Sequence, residues 1–115
     1  MKIGIVTRSF PEMTTAEAAD TMVKHGFKCT ELCFVQTDCN YWKYNGTSDI
    51  SGLSNEQVME IVNVYRSKGI EVTSIGVFTN LIEPDEETRK HNLEYFVKHI
   101  EYAAYCGIKY VATEC

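Results

Sequence analysis

Two charged residues of the sequence lie at the ends of short apolar runs that favour strands. Arg8 follows the run KIGIVT, and Glu114 lies near the end of IKYVATEC. A guanidinium group can bind a phosphate or a carboxylate through two parallel hydrogen bonds, and a carboxylate can accept a proton from a substrate. We therefore consider Arg8 a candidate substrate-binding residue and Glu114 a candidate catalytic residue. A salt bridge for Arg8 and simple solvation of Glu114 are the alternatives.

Two further polar residues lie within or just after apolar runs. Glu31 interrupts FKCTELCFV, and Asn80 follows IEVTSIGVF. A carboxylate in an apolar strand needs hydrogen-bond partners, which a substrate or a neighbouring strand could supply. An asparagine side chain could orient a substrate hydroxyl or stabilise a turn. Both residues are candidates for substrate binding, with a structural role as the alternative.

A long polar segment between two predicted elements carries aromatic residues. The segment QTDCNYWKYNGTSDISG contains Tyr41, Trp42 and Tyr44, and long loops in compact domains are usually functional or mobile. Aromatic rings can cover the C–H face of a sugar or exclude water from a pocket. We predict that Tyr41 and Trp42 line a substrate pocket, unless they only pack the loop onto the following helix.

The cysteines and histidines form no recognisable metal motif. His25, Cys29 and Cys33 are spaced by four residues, which would align them on a helix, but the residues after Gly26 favour a strand. No C-x-x-C pair is present, so we expect buried, unreactive thiols and no metal bound by this chain alone. We also expect the histidines to lie in or at the ends of helices, on the exterior of the barrel, without a catalytic role: His25, His91 and His99.

The overall composition excludes some functions. The chain has 115 residues, 44% of them apolar, and a formal net charge of −5 from 16 acidic and 11 basic residues. Nucleic-acid binding is disfavoured because it requires clustered lysine and arginine. No segment approaches the roughly 20 apolar residues needed to cross a bilayer, so we expect no membrane partner. Five cysteines, an odd number, without extracellular context predict a reduced, cytoplasmic protein.

A repeated join defines the elements that must position these residues. Each copy has a glycine, a large apolar residue and a charged residue, followed by a run of residues that favour a strand. The three copies begin 43 and 38 residues apart and read HGFKCTEL, KGIEVTSI and CGIKYVAT. Each join is typical of a helix end followed by a strand. We predict strands over 2–7, 27–35, 70–78 and 108–115.

Helix signals lie between these strands. Thr14 with Glu17 and Ser54 with Gln57 match the capping box that begins a helix. Pro84 suits the first turn of a third helix that ends at Gly107. The apolar residues that we expect on the buried face of this third helix are Leu93, Phe96, Val97, Ile100 and Ala104.

Alternating strands and helices predict an α/β fold with a parallel sheet. A doubly wound nucleotide-binding sheet would carry a glycine-rich turn after the first strand, but the sequence there is TRSFPEM. A TIM (β/α)8 barrel has similar repeating units and about 250 residues. Residues 1–115 are therefore predicted to form a single domain, the (βα)3β half of a TIM barrel.

Several segments resemble the xylose isomerase-like TIM barrels, and the sugar phosphate isomerase/epimerase group in particular. The resemblance rests on KIGIVTRSFP, on HGFKCTELCF and on the run from IGVFTNLIEPDEE to IKYVATEC. It covers only the first half of that family's fold. It implies function on loops at the carboxyl ends of the strands, and a strand ending in Thr113 and Glu114. It also implies a divalent metal in the complete barrel, bound by Glu, Asp and His of strands five to eight.

Three functions follow as hypotheses. The first is the N-terminal part of a sugar phosphate isomerase or epimerase that moves a proton beside a sugar carbonyl, and this piece alone would be inactive. The second is a non-catalytic half barrel that forms a homodimer through its open sheet edges. The third is an endonuclease-like protein for abasic DNA, which the acidic charge disfavours. The expected partner under the first hypothesis is a small sugar or sugar phosphate.

Overall fold

The computed structural model of the chain describes residues 1–39 and 47–114, and the side chain of Glu114 lies outside the described part. Strands and helices alternate along the described residues. The strands are β1 (Gly4–Val6), β2 (Cys29–Leu32), β3 (Glu71–Phe78) and β4 (Tyr110–Glu114). The helices are α1 (Thr15–Lys24), α2 (Asn55–Ser67) and α3 (Glu86–Cys106), and a short 3-10 turn covers Thr7–Ser9. All predicted strands are present, although each is shorter than the run that predicted it.

The strands form one parallel sheet in the order β1-β2-β3-β4. Right-handed crossovers between sequential neighbours place α1, α2 and α3 on the same face, and α2 packs against both of the other helices. A doubly wound sheet instead reverses its strand order and has helices on both faces. The arrangement therefore confirms the predicted partial TIM barrel.

Local signals begin and end the helices as predicted, with two corrections. Ser54 and Gln57 form a complete capping box, with hydrogen bonds of 2.8 and 3.1 Å. Glu17 completes only half of a box, because its carboxylate accepts from the Thr14 hydroxyl and not from the backbone. The N-cap of α3 is Asp85, whose carboxylate accepts from the Thr88 N–H at 2.8 Å, so Pro84 lies one residue before the helix.

Glycine follows the last turn of each helix. Gly26, Gly69 and Gly107 have φ angles of 79°, 77° and 70°. These left-handed conformations would strain any residue with a Cβ. The repeated join of the sequence is therefore a repeated helix end that returns the chain to the sheet.

The hydrophobic core lies between the helices and the face of the sheet that they cover, which we call the helix face. Strand residues on this face include Leu32, Ile75 and Val77, all at most 2% exposed. They pack with side chains from every helix, among them Met22, Val58, Val62, Tyr65, Tyr102 and Cys106. No helix among the described residues is long and apolar enough to span a membrane.

The predicted buried face of α3 is largely wrong. Leu93, Val97 and Ile100 are 52%, 43% and 44% exposed and Ala104 is exposed too, whereas Tyr102 and Cys106 are buried. Of the five predicted residues, only Phe96 packs against the core. The helix carries two apolar stripes at helical spacing, and the sheet covers the one that contains the larger aromatic rings.

His99 belongs to that buried stripe and is only 2% exposed. It lies on the helix side of the sheet, which is the outer side of a barrel, but it is buried there beneath the helix. Its Nδ1 lies 2.8 Å from the Tyr95 carbonyl oxygen, and its ring packs against Phe34, Tyr95 and Tyr102. These contacts explain how a polar ring can occupy the core.

Candidate active site

The face of the sheet opposite the helices, which we call the open face, carries Glu31, Ser74 and Gly76 near the carboxyl ends of β2 and β3. The Ser74 hydroxyl donates to Glu31 Oε1 at 3.1 Å. A Cβ built on Gly76 would lie 2.9 Å from Glu31 Oε2 and 2.9 Å from Cys33 Sγ. The Glu31 side chain therefore lies across the backbone of β3, over a position without a side chain.

Cys33 is close enough to both charged candidates of the open face, Glu31 and Arg8, to interact with them electrostatically. Burial raises the pKa of the Cys33 thiol to about 12, the negative charge of Glu31 adds to this effect, and the positive charge of Arg8 opposes it. The thiol stays protonated at neutral pH, so Cys33 is not a reactive nucleophile. The prediction of an unreactive thiol agrees with this result.

Arg8 stacks on an aromatic ring at the mouth of the open face. Its guanidinium carbon lies 4.2 Å from the centroid of the Phe78 ring, at the end of β3. Stacking on a ring leaves the edge of the guanidinium group available for hydrogen bonds. The ion pairs of the described residues join Lys2 to Glu71, Lys68 to Asp20, and Lys98 to Glu101. Both Arg8 and Glu31 therefore lack an ionic partner within residues 1–39 and 47–113.

Hydrogen bonds fix the chain around Arg8. The Thr7 hydroxyl donates to the Cys33 carbonyl and accepts from the Cys33 N–H, both at 2.9 Å. The buried Gln36 side chain donates to the Thr7 carbonyl at 2.8 Å. These bonds tie the end of β1 to the end of β2, so the backbone that carries Arg8 is held in place.

Asn80 lies in the loop after β3 and stabilises a turn. Its Oδ1 accepts from the Ile82 N–H at 3.1 Å, and its Nδ2 donates to Glu83 at 3.3 Å. The alternative structural role for Asn80 is therefore present in this structure. A contact between Asn80 and substrate remains a prediction.

The remaining predicted site residues are placed only in part. The backbone of Glu114 pairs with Phe78 at the end of β4, next to Thr113, whose hydroxyl donates to the Thr79 carbonyl at 3.3 Å. Its side chain, and the residues Tyr41 and Trp42, lie outside the described residues.

A cavity of about 680 Å3 lies elsewhere, between the segment 47–53 and α3. Its lining includes Thr79, His91, Tyr95 and Lys98, but not Arg8 or Glu31. A shallower groove of about 280 Å3 follows the open face past Glu31. We place the candidate site on the open face because Arg8 and Glu31, which form no ion pair within the described part of the chain, lie there.

Residues 19–114 match the family model of the xylose isomerase-like TIM barrels. The chain belongs to this family. In TIM barrels the active site lies at the carboxyl ends of the strands, and this is the end of the sheet where Arg8 stacks on Phe78.

Two solved structures have a fold similar to that of this chain. The probable 3-DHS dehydratase AsbF, involved in petrobactin synthesis in Bacillus anthracis, is 16% identical with a TM-score of 0.65. D-psicose 3-epimerase, crystallised in the presence of D-fructose, is 18% identical with a TM-score of 0.67. Each match covers 98% of this chain, but only 38% and 37% of the solved chains. At these identities the likeness shows the fold alone. No curated protein gave a significant match.

The described part of this barrel contains no metal site of its own. Within it, no three His, Cys, Asp or Glu side chains come close enough together to hold a metal ion. The residues present therefore do not fit the divalent metal that the family resemblance implies for a complete barrel.

Sequence reasoning found Arg8 and Glu31 but missed the residues that hold them. In the sequence, nothing distinguishes Ser74 and Gly76 from other residues of a strand, and Phe78 is simply the apolar residue that ends the run. Only the polar Gln36 directly after an apolar run gave a signal that could have been used.

Proposed function

We propose that these 115 residues form the N-terminal part of a sugar phosphate isomerase or epimerase. The observation that carries the proposal is a pair of charged side chains on the open face that have no ionic partner among the described residues: Arg8 stacked on Phe78, and Glu31 held by Ser74. A sugar phosphate offers the complementary groups, since its phosphate suits a guanidinium and its hydroxyls suit a carboxylate acceptor.

Each candidate residue has a role in this proposal. Arg8 binds the phosphate, and Glu31 accepts hydrogen bonds from sugar hydroxyls. Glu114, at the end of β4, takes the proton from the carbon beside the carbonyl. Tyr41 and Trp42 cover the sugar and exclude water.

Asn80 orients a further hydroxyl in the proposed complex. None of the described residues would hold the divalent metal that the family resemblance implies for a complete barrel; such a metal would supply stabilisation of negative charge on the substrate oxygens. Because the described residues form no metal site, we expect the 115 residues alone to bind substrate weakly and to turn over none. The setting proposed for this reaction is the cytoplasm.

Proton exchange beside the carbonyl tests the proposal. The complete protein encoded by the reading frame of this chain is incubated with a panel of ketose and aldose phosphates in D2O, and deuterium incorporation is followed by NMR. We expect incorporation at the carbon beside the carbonyl, and its loss in Glu114→Gln. Arg8→Gln should raise KM for phosphorylated sugars by roughly 10- to 100-fold, the size of one charged hydrogen-bonding contact.

The matched control is Arg89→Gln, which removes an exposed arginine whose side chain donates to the carbonyls of Glu83 and Pro84. It should leave KM unchanged. Absence of exchange with every sugar phosphate, in a folded and metal-loaded protein, would contradict the proposed reaction.

A second candidate function is self-association as a non-catalytic half barrel. The edges of β1 and β4 have no strand neighbour among the described residues, and the stripe Leu93, Val97 and Ile100 is exposed on α3. Open edges and apolar stripes favour pairing with another copy. Light scattering on the 115-residue chain distinguishes the two cases, because a monomer at all concentrations excludes the homodimer.

A further inference from the structure

The pairing of β2 with β3 is irregular beside Glu31. Thr30 pairs with Val72, but the next residue, Glu31, pairs with Ser74, so Thr73 is an extra residue in β3. Residues two apart in a regular strand face the same side of the sheet. Here Val72 is 5% exposed in the helix-face core, whereas the Ser74 hydroxyl lies on the open face against Glu31. The bulge therefore turns Ser74 towards the candidate site, a common role of bulges near active sites.

Gly76 lies on the same open face of β3, two residues after Ser74. Its φ angle is not in the left-handed region, so a glycine is needed here for space and not for backbone conformation. A Cβ at this position would lie 2.9 Å from Glu31 Oε2 and 3.0 Å from Glu31 Cδ. Real Cβ atoms almost never make contacts below 3.0 Å, so any other residue here would displace the carboxylate.

We infer that Ser74 and Gly76 are positioning residues that hold the Glu31 carboxylate in one orientation for a polyhydroxylated substrate. Ser74 holds Oε1, and Gly76 leaves the space that Oε2 occupies. The two oxygens then keep their remaining acceptor sites for hydroxyl donors, and the side chain loses little freedom when the ligand binds. This inference rests on the proposed function for the identity of the ligand, but not for the geometry.

The geometry is tested on the 115-residue chain without any substrate. Three-bond NMR couplings across Cα–Cβ and Cβ–Cγ of Glu31 report whether the side chain occupies one rotamer or several. We expect one rotamer in the wild type, averaged couplings in Ser74→Ala, and restored couplings in Ser74→Thr, which keeps the hydroxyl. Ser67→Ala is the control, because the Ser67 hydroxyl donates to the Val64 carbonyl on α2, away from Glu31.

Turnover by the complete protein then tests the consequence. Ser74→Ala should lower kcat/KM for the sugar phosphate by roughly 10-fold, the size of one hydrogen bond to a charged group, and Ser67→Ala should not. Gly76→Ala should displace Glu31 further, but it can also disturb folding, so the decision rests on Ser74.

The two possible failures are distinguishable. Unchanged Glu31 couplings in Ser74→Ala would overturn the positioning role, whatever the activity. Averaged couplings with unchanged kcat/KM would support the positioning role and contradict the proposed role of Glu31 in substrate binding.

Discussion

Adjacent residues of β2 face opposite sides of the sheet and meet different surroundings. Leu32 is fully buried on the helix face, among side chains from the helices and from β3. Glu31 is half-buried on the open face, where its carboxylate accepts a hydrogen bond from Ser74. Strand alternation produces this contrast within two residues.

The same contrast runs along β3 and β4. On the helix face, Ile75 and Val77 are at most 2% exposed. On the open face of β3 the chain has Ser74 and Gly76, and on β4 the large side chain of Tyr110 is 67% exposed. The helix face therefore carries the hydrophobic core, whereas the open face carries the polar pair of Glu31 and Ser74. A change on one face should affect folding, and a change on the other should affect binding.

The largest expected effect comes from truncating the helix face. Leu32→Ala removes a fully buried side chain and should lower the free energy of unfolding by about 3 kcal/mol, through lost burial and a cavity. Glu31→Gln keeps the size and the acceptor for Ser74, so it should change this free energy by less than about 0.5 kcal/mol. Urea denaturation of both variants makes the measurement. If both variants lost the same free energy of unfolding, the proposed division between a stabilising helix face and a binding open face would be wrong.

A smaller effect concerns two tyrosines in the helix-face core. The Tyr102 hydroxyl donates to the Leu53 carbonyl at 2.6 Å, whereas the buried Tyr65 hydroxyl has no hydrogen-bond partner within the described residues. Tyr102→Phe removes the hydroxyl that donates to the buried Leu53 carbonyl, and it should lower the free energy of unfolding by about 1 kcal/mol. Tyr65→Phe removes an unsatisfied group and should raise stability by up to about 1 kcal/mol. Changes of the same sign in the two variants would contradict this assignment.

The fold was largely predictable because its signals are local. Gly26, Gly69 and Gly107 end the helices through a backbone requirement that only their own residue and its neighbours impose. The order of strands follows from their alternation with helices, because right-handed crossovers leave few arrangements. Both kinds of signal can be read from a short stretch of sequence.

The site was less predictable because its geometry depends on pairing between distant segments. The bulge that turns Ser74 towards Glu31 exists only when β2 lies beside β3, and neither strand shows it alone. The orientation of α3 depends in the same way on its neighbours. Leu93 and Val97 follow helical spacing as well as Tyr95 and His99 do, and packing decides which stripe is buried.

The smallest expected effect is a pH dependence that originates on the helix side of the sheet. Burial lowers the pKa of His99 below its ordinary value, and the hydrogen bond to the Tyr95 carbonyl partly opposes this. The unfolded chain takes up a proton near the ordinary pKa of about 6.5, while the folded imidazole stays neutral. The unfolded state therefore binds more protons below that pH, and stability should fall as the pH decreases through about 6.5 towards the lower folded pKa.

Urea unfolding near pH 7.5 and near pH 5.5 measures this loss, since the two values lie on either side of the ordinary histidine pKa of about 6.5. In His99→Gln the part of the loss that comes from the buried imidazole should disappear, so the two free energies should lie closer together than in the wild type. His91→Gln is the control, because His91 is exposed at the start of α3 and its removal should leave the wild-type difference. An unchanged difference in His99→Gln would mean that the pH dependence arises elsewhere, and the charged groups of the open face would be the next to test.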